Sequence, residues 1–536
     1  MEKSFTVDGL SKAVAKATRS AKFCAVGSLP GVHPGIEVEH LGLIKLPLTR
    51  TKAKELVAQC SVAPYGKGTK TLVDPKVRNT FELDPATLML SDRWKEAIAR
   101  VTQQAAVALG LPAEQLEAKL YKLLVYERGG FFLPHRDSEK LDRMVASMIV
   151  VLPSRFEGGA LVVRHGAAKQ TIKFEEAASG QAACFAAFYA DCEHEVQRVT
   201  GGVRLCLAYN LVLTGPRAKA AGDTSAAPED ALAESIAAWT RTRPAEPLVF
   251  ALEHHYTERG LSLALLKGGD RQLAALVVSA AEKLNGYVHL AHVSRHLLQF
   301  ADDGSFGRGY RYGRSSRGPI EIGETYEDDL RGTQWTDLDG KKQLWGAIPF
   351  DASAIVASVP IDQWKPTSEE FEGYTGNAGN TLDRWYHRSA IVVWPRDRHF
   401  EVIAKSGAVA SIPLFCSLAA KLAKTPKQRI DEARLDCVRF ARAIIATWPQ
   451  HVGYGPPMRE KSPLDDFPES LLLLHDRDTI AMFLTTLAQR DPLRSLRALL
   501  VGAGRELGWT AFADELNTLL NAPSPKRARP EIPHST

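Results

Sequence analysis

KLLVYERGGFFLPHRD, residues 122–137, is the stretch on which the reading of this chain turns. Two short runs rich in Leu, Val, Tyr and Phe flank Gly129-Gly130, and the second run closes on His135-Arg136-Asp137. Such runs, split by a glycine turn, read as consecutive β-strands. On a strand, residues two apart share a side, so His135 and Asp137 aim at a common point while Arg136 turns away.

The same texture continues downstream. RMVASMIVVLP (143–153), ALVVRHG (160–166), KQTIKF (169–174), AACFAAFY (182–189), CEHEVQRV (192–199) and VRLCLAYNLVL (203–213) are apolar β-type runs separated by turn residues. With the first two runs this makes about eight strands, at the spacing of an all-β sandwich or barrel. Glu157-Gly158-Gly159 and Thr200-Gly201-Gly202 supply the left-handed conformations that tight hairpins need. A jelly roll over 119–213 is the expectation.

His-x-Asp alone is a weak signal; the order of the residues downstream of it strengthens it. Two imidazoles and one carboxylate on one face of a metal, with open positions opposite, is the donor set of non-haem iron oxygenases. His194 opens the seventh strand and is the candidate third ligand. Ten residues on, Arg204 stands on the eighth strand among Leu205, Leu207, Tyr209 and Leu211. A guanidinium in so apolar a strand requires an anion, and a carboxylate pairs with it bidentately.

These residues together, YERGGFFLPHRD, MIVVLP, EGGALVV and HEVQRVTGGVR, resemble the prolyl 4-hydroxylase-like branch of the 2-oxoglutarate/Fe(II)-dependent dioxygenases. The resemblance spans about 119–213 and implies a double-stranded β-helix core. It implies Fe(II) bound by His135, Asp137 and His194, 2-oxoglutarate as co-substrate anchored by Arg204, and Tyr126 hydrogen-bonded to that co-substrate. Many members carry Lys where this chain has Arg204, a change compatible with the role. Ascorbate as an accessory reductant is also compatible with it. The activity implied is hydroxylation of a C–H bond, on a protein or peptide side chain of which proline is one example, with succinate and carbon dioxide released. The same site acting on a small molecule or nucleotide, and a non-catalytic scaffold that keeps the roll, are the competing readings.

The rest of the chain frames this core. At 536 residues it suggests roughly three domains. Hydrophobic and charged contents of 45% and 24% are ordinary for folded protein. A net charge of +5, from 67 basic and 62 acidic residues, is small for the length and argues against nucleic acid as partner. No run approaches the roughly 20 apolar residues of a membrane span, and the N-terminus lacks a secretory core. Seven cysteines without a Cys-x-x-Cys pair indicate a reducing, cytoplasmic setting.

The fold class expected is therefore α+β. A mixed helical and strand region over 1–118 supports the core, with Ser91 capping a helix that Pro112 interrupts before a second short helical stretch. A linker at 214–228 leads to a mixed α/β domain at 229–405, in which a degenerate second β-roll can be read. There GYVHLAHV (286–293) and SAIVVWP (389–395) are strands, and 261–284 is helical. A helical domain at 425–522 and a disordered tail at 523–536 complete the chain.

Other candidates rank below the core motif. His165 reads as a turn residue. His289, His292 and His296 have the spacing of a helical metal cluster but lack a supporting Cys or acid. His254-His255 on a strand would point to opposite faces. His399-Phe400-Glu401 has ligand spacing without the GlyGly turn and downstream Arg. The Gly- and Asn-rich 372–380 reads as a loop, Cys184, Cys192 and Cys206 as core fillers, and Lys526-Arg527-Ala528-Arg529 as a solvated end.

Overall fold

A computed structural model describes residues 10–11, 14, 22–67, 70–214, 226–243, 245–302, 320–373, 380–422, 424–426, 429–449, 463–489 and 496–520. Most of the 214–228 linker and of the 372–380 loop, and all of the tail with its basic run, lie outside these residues.

The run Arg204–Leu213 is apolar on both faces but for Arg204 and Asn210, and all 10 of its residues are buried. It can only be an inner strand covered on two sides. The elements around it, in chain order, are the strands Cys24–Leu29 (β1), Ser61–Val62 (β2), Arg78–Asn79 (β3) and Phe81–Leu83 (β4), and the helix Asp92–Leu109 (α1). Then come Leu116–Tyr126 (β5), Phe131–His135 (β6), Met144–Val151 (β7), Phe156–Gly158 (β8), Leu161–His165 (β9) and Ala168–Ile172 (β10). Ala183–Tyr189 (β11), Glu193–Val196 (β12), Val199–Gly202 (β13) and Arg204–Leu213 (β14) finish the roll.

One sheet runs β1-β11-β7-β14-β5-β4-β2 and the other β10-β9-β12-β6-β3, with β8 and β13 forming a separate antiparallel pair. The paired strands of both sheets are antiparallel. One continuous core reaches from Cys24 to Leu213. The N-terminal region does more than support the roll, since β1, β2, β3 and β4 extend its sheets outward.

Helix α1 starts where Ser91 accepts a hydrogen bond from the Trp94 amide, and stops at Gly110, whose φ is 66°. Trp94, Ile98, Val101, Ala105 and Leu109 form its buried face. It covers the outer face of the larger sheet, where the Trp94 indole donates to the Tyr209 hydroxyl at 2.9 Å. The helical stretch expected after Pro112 is only a 3₁₀ turn, Ala113–Gln115, and β5 begins at Leu116. Pairing of Leu116 with Leu213 and onward down β14 outweighs the helix propensity of Glu117, Ala118 and Lys119.

Beyond the linker, helix Ala226–Thr242 (α2) and strand Leu248–Ala251 (β15) precede helix Gly268–Lys283 (α3). The long strands Gly286–Asp302 (β16) and Glu321–Thr336 (β17) come next, then Ile348–Pro349 (β18), Ile355–Val356 (β19), Ser368–Glu372 (β20) and Thr381–Pro395 (β21). They make one sheet, β18-β17-β16-β21-β15-β19, with β20 also on β21. Helices α2 and α3 share a core with one face of it, and Trp335, Trp364 and Trp394 fill the other. A second β-roll would need two facing sheets, and the described residues of 229–405 form a single sheet backed by helices. Residues 261–267 are not part of the expected helix either: Leu263–Leu265 form only a 3₁₀ turn, and α3 starts at Gly268.

The helical region begins at His399, directly after β21, and so ahead of residue 425. Its helices, from His399–Ala404 to Ala513–Leu520, enclose a separate core around Phe415, Phe440, Phe467 and Phe483. Among the described residues no helix is long and apolar enough to cross a membrane.

Candidate functional site

Antiparallel register brings the candidate side chains together. His135 closes β6, and its backbone partner across the ladder is His194 on β12. Their ring centroids lie 4.2 Å apart. Asp137, two residues beyond His135 and past the end of β6, reaches back between them. His135 Nε2 is 3.9 Å from Asp137 Oδ1, and His194 Nε2 is 3.7 Å from Asp137 Oδ2. One ligand atom from each lies within 4.8 Å of the others, a set that could hold a metal ion.

Each imidazole is oriented by its own backbone. His135 Nδ1 is 2.8 Å from the Leu133 carbonyl and His194 Nδ1 is 3.1 Å from that of Cys192. A carbonyl only accepts, so both Nδ1 atoms carry the proton and both Nε2 lone pairs face Asp137. The Asp137 amide donates to the Ala190 carbonyl at 3.2 Å, and the Ser147 hydroxyl donates to Asp137 Oδ2 at 2.5 Å.

Electrostatics keep this set ready for a cation. Burial, reinforced by the His194 imidazole, pushes His135 down to about 3, so it stays neutral. For Asp137, burial favours the neutral acid. The positive charge that a protonated His194 or His135 places beside it, with the Ser147 hydroxyl, outweighs that, and the carboxyl sits below its usual range.

Arg204 opens β14 directly opposite Tyr126 on β5. It is 0% exposed. Its guanidinium lies 5.2 Å from the Tyr126 ring and 5.4 Å from that of Phe174. Nη1 donates to Cys206 Sγ at 3.0 Å, while Nε and Nη2 are buried with no partner. Leaving a buried charge uncompensated costs about 3–5 kcal/mol, so the guanidinium is built to receive an anion. A Cβ on Gly159 would lie 3.0 Å from Arg204 Cδ, so the glycine at φ +64° makes room for this side chain.

Tyr126, His135, Asp137, His194 and Arg204 all line one cavity of about 680 Å³. The same wall holds Ser147, Asn210, Tyr121 and Arg78. Arg78 lies over the Phe132 ring at 4.6 Å, and Phe132 in turn stacks on His135 at 3.5 Å. Sequence reasoning missed these. Ser147 was visible as the one hydroxyl in an otherwise apolar strand. Arg78 had no signal, because it comes from a two-residue strand outside the roll segment.

The remaining candidates go elsewhere. His289, His292 and His296 lie on strand β16, not a helix, because β16 is paired along both edges. Odd spacing sends His289 and His292 to opposite faces: His289 packs on Trp394 at 4.9 Å, His292 meets Ser389 at 3.4 Å, and His296 pairs with Asp383 at 2.7 Å. His399 accepts from the Trp394 indole, while Glu401 pairs with Arg398, so they share no point. His254 and His255 lie in a loop after β15 rather than on a strand. His165 ends β9 and stacks on His254 at 4.3 Å, which is more than a turn residue does. Cys184, Cys192 and Cys206 are buried and unbridged.

Residues 121–212 match the sequence model of the 2OG-Fe(II) oxygenase superfamily. No curated protein matches the chain. Solved structures similar to it include a prolyl-4-hydroxylase of Pseudomonas putida, at 17% identity over 38% of this chain and 100% of that one, with a TM-score of 0.22. A prolyl hydroxylase from Trichoplax adhaerens, solved with a hypoxia inducible factor peptide fragment, is 12% identical over 38% of this chain and 90% of its own, with a TM-score of 0.23. The viral collagen prolyl hydroxylase of Paramecium Bursaria Chlorella virus-1 is 13% identical over 36% and 97%, with a TM-score of 0.21. The family match supplies the assignment: this chain carries, over residues 121–212, a 2-oxoglutarate/Fe(II)-dependent oxygenase domain, whose cofactors are Fe(II) and 2-oxoglutarate.

Proposed function

We propose that this chain is a hydroxylase acting on a protein or peptide side chain, with proline among the residues it could modify. His135 Nε2, His194 Nε2 and the Asp137 carboxylate hold Fe(II), and Arg204 takes the distal carboxylate of 2-oxoglutarate with Tyr126 beside it. The observation that carries this reading is Arg204: a fully buried guanidinium with two unpartnered nitrogens, in the same cavity as the triad.

When bound, iron and 2-oxoglutarate supply the oxidation: dioxygen is consumed, succinate and carbon dioxide leave, and one oxygen atom enters a substrate C–H bond. The protein's part is geometric. The carbonyls of Leu133 and Cys192 fix both imidazoles as Nε2 donors, and Ser147 steadies the carboxylate. Phe132 and Phe188, packed on the two imidazoles, keep that side of the site dry. Arg136 and Lys140, both exposed, are among the residues that line the cavity, so a substrate can approach it from solvent on that side.

A second reading, an anionic small molecule as substrate, is favoured by a different observation. Arg78, Arg136 and Lys140 line the cavity and make no ion pair among the described residues. The test of both is succinate release by the purified protein with Fe(II), 2-oxoglutarate and dioxygen. It is run with proline-containing peptides and with carboxylate or phosphate metabolites, and products are screened for one added oxygen atom. Peptide oxidation supports the first reading and metabolite oxidation the second; no metal binding and no succinate rejects both.

A further inference from the structure

The turn between β11 and β12 does two jobs for the site. Its Ala190 carbonyl accepts from the Asp137 amide at 3.2 Å, and its Cys192 carbonyl orients His194 Nδ1 at 3.1 Å. Between those two carbonyls stands Asp191, and its partners all come from the region beyond the linker. Lys267 Nζ donates to Oδ1 at 2.9 Å, His254 Nδ1 lies 3.1 Å from Oδ2, and the His255 amide donates to Oδ2 at 3.0 Å. The side chains of Lys267, His254 and Asp191 are 3%, 5% and 8% exposed, so water contributes little here.

The far side of this contact is itself held. Asp270, at the start of α3, accepts from the amides of Glu253 and His254 at 2.8 and 3.0 Å and from the Tyr256 hydroxyl at 2.9 Å. The Tyr256 hydroxyl in turn accepts from the Lys267 amide at 2.8 Å. His165 and Tyr189 of the roll pack on the His254 ring at 4.3 and 4.5 Å. Lys267 and His254 therefore meet Asp191 from a preset frame.

Ligand atoms of His165, Asp191 and His254 also lie within 4.8 Å of one another, a spacing a metal could use. The Lys267 ammonium decides against it. It already sits on Asp191 Oδ1, and a divalent ion on the same carboxylate would stand beside a buried like charge. Lys267 is the cation of this cluster.

We propose that Lys267, with His254, is a positioning residue for the iron site, acting through Asp191 on the turn that orients His194 and anchors Asp137. The proposal rests on the reading of His135, Asp137 and His194 as metal ligands. It makes the region after the linker part of the oxygenase, because that region supplies the ammonium, imidazole and amide that hold the Asp191 carboxylate.

The experiment measures Mn(II) binding by calorimetry, with 2-oxoglutarate present, in the full-length protein and its Lys267→Met, Lys267→Arg and Asp191→Glu variants. Loss of an orienting contact behind a ligand weakens metal binding about tenfold to a hundredfold. That loss is expected for Lys267→Met, with partial recovery in Lys267→Arg and with the apparent KM for 2-oxoglutarate at saturating metal unchanged. If Lys267→Met fails to fold, Asp191→Glu, which keeps the charge and displaces it by one methylene, gives the same reading. Folded variants with wild-type Mn(II) affinity would overturn the proposal. So would a second Mn(II) equivalent that disappears in His254→Ala. Wild-type protein that binds no Mn(II) would instead overturn the ligand reading beneath it.

Discussion

Arg204 and Tyr126 are backbone partners across the β5–β14 ladder, and the guanidinium of one lies 5.2 Å from the ring of the other. The tyrosine gives the cation a polarisable face but no counter-charge, and two guanidinium nitrogens remain unpartnered. The pair is thus stable enough to persist and unsatisfied enough to bind.

Arg204→Met should therefore move two quantities in opposite directions. Replacing an unpaired buried charge with an apolar side chain of similar length is neutral or stabilising, by up to about 4 kcal/mol. Losing the partner of a buried carboxylate costs about 2–5 kcal/mol of binding, at least about 30-fold in 2-oxoglutarate affinity. Thermal melts without ligand and calorimetry with Mn(II) and 2-oxoglutarate check both halves. A variant that is destabilised yet binds 2-oxoglutarate normally would show that Arg204 is structural.

Ser147→Ala removes the hydroxyl that donates to Asp137 Oδ2. The carboxylate then has one fewer contact fixing its rotamer, and metal affinity should fall about tenfold or more. Global stability should change by only about 1 kcal/mol. Parallel metal titration and urea unfolding separate the two effects.

Acid should destabilise the region after the linker through His289. Burial pushes this imidazole down to about 3, and both of its nitrogens lack partners. The unfolded chain takes up the proton below the ordinary value of 6.5. The folded chain refuses it until about 3, so stability is full above pH 6.5 and is lost as the pH falls through that window. The slope from this one group reaches about 1.4 kcal/mol per pH unit. Urea midpoints recorded from pH 7 downward should show it, and His289→Phe should flatten the acid limb.

The roll was legible because its strands announce themselves locally. Alternation placed His135 and Asp137 on one side, and glycine turns at 157–159 and 200–202 separated the runs that bring His194 and Arg204 inward. Long-range pairing was not legible. Nothing in Arg78-Asn79 marks a strand that will pair with Phe131 and Phe132 and put a cation against the site. The three-and-four spacing of His289, His292 and His296 imitates a helix, and only the partners β17 and β21 make it a strand. Asp191 carried no motif at all; its meaning lies in Lys267, 76 positions away.

An iron site here requires His135, Asp137 and His194 to share one ion. The most direct measurement is the Mn(II) binding stoichiometry of the wild type and of His135→Ala in the presence of 2-oxoglutarate. One equivalent in the wild type, lost in the variant, is the predicted result, together with a rise in wild-type stability of about 2.7 kcal/mol at a hundredfold excess over Kd. No equivalent in the wild type, or one equivalent in both proteins, would contradict it.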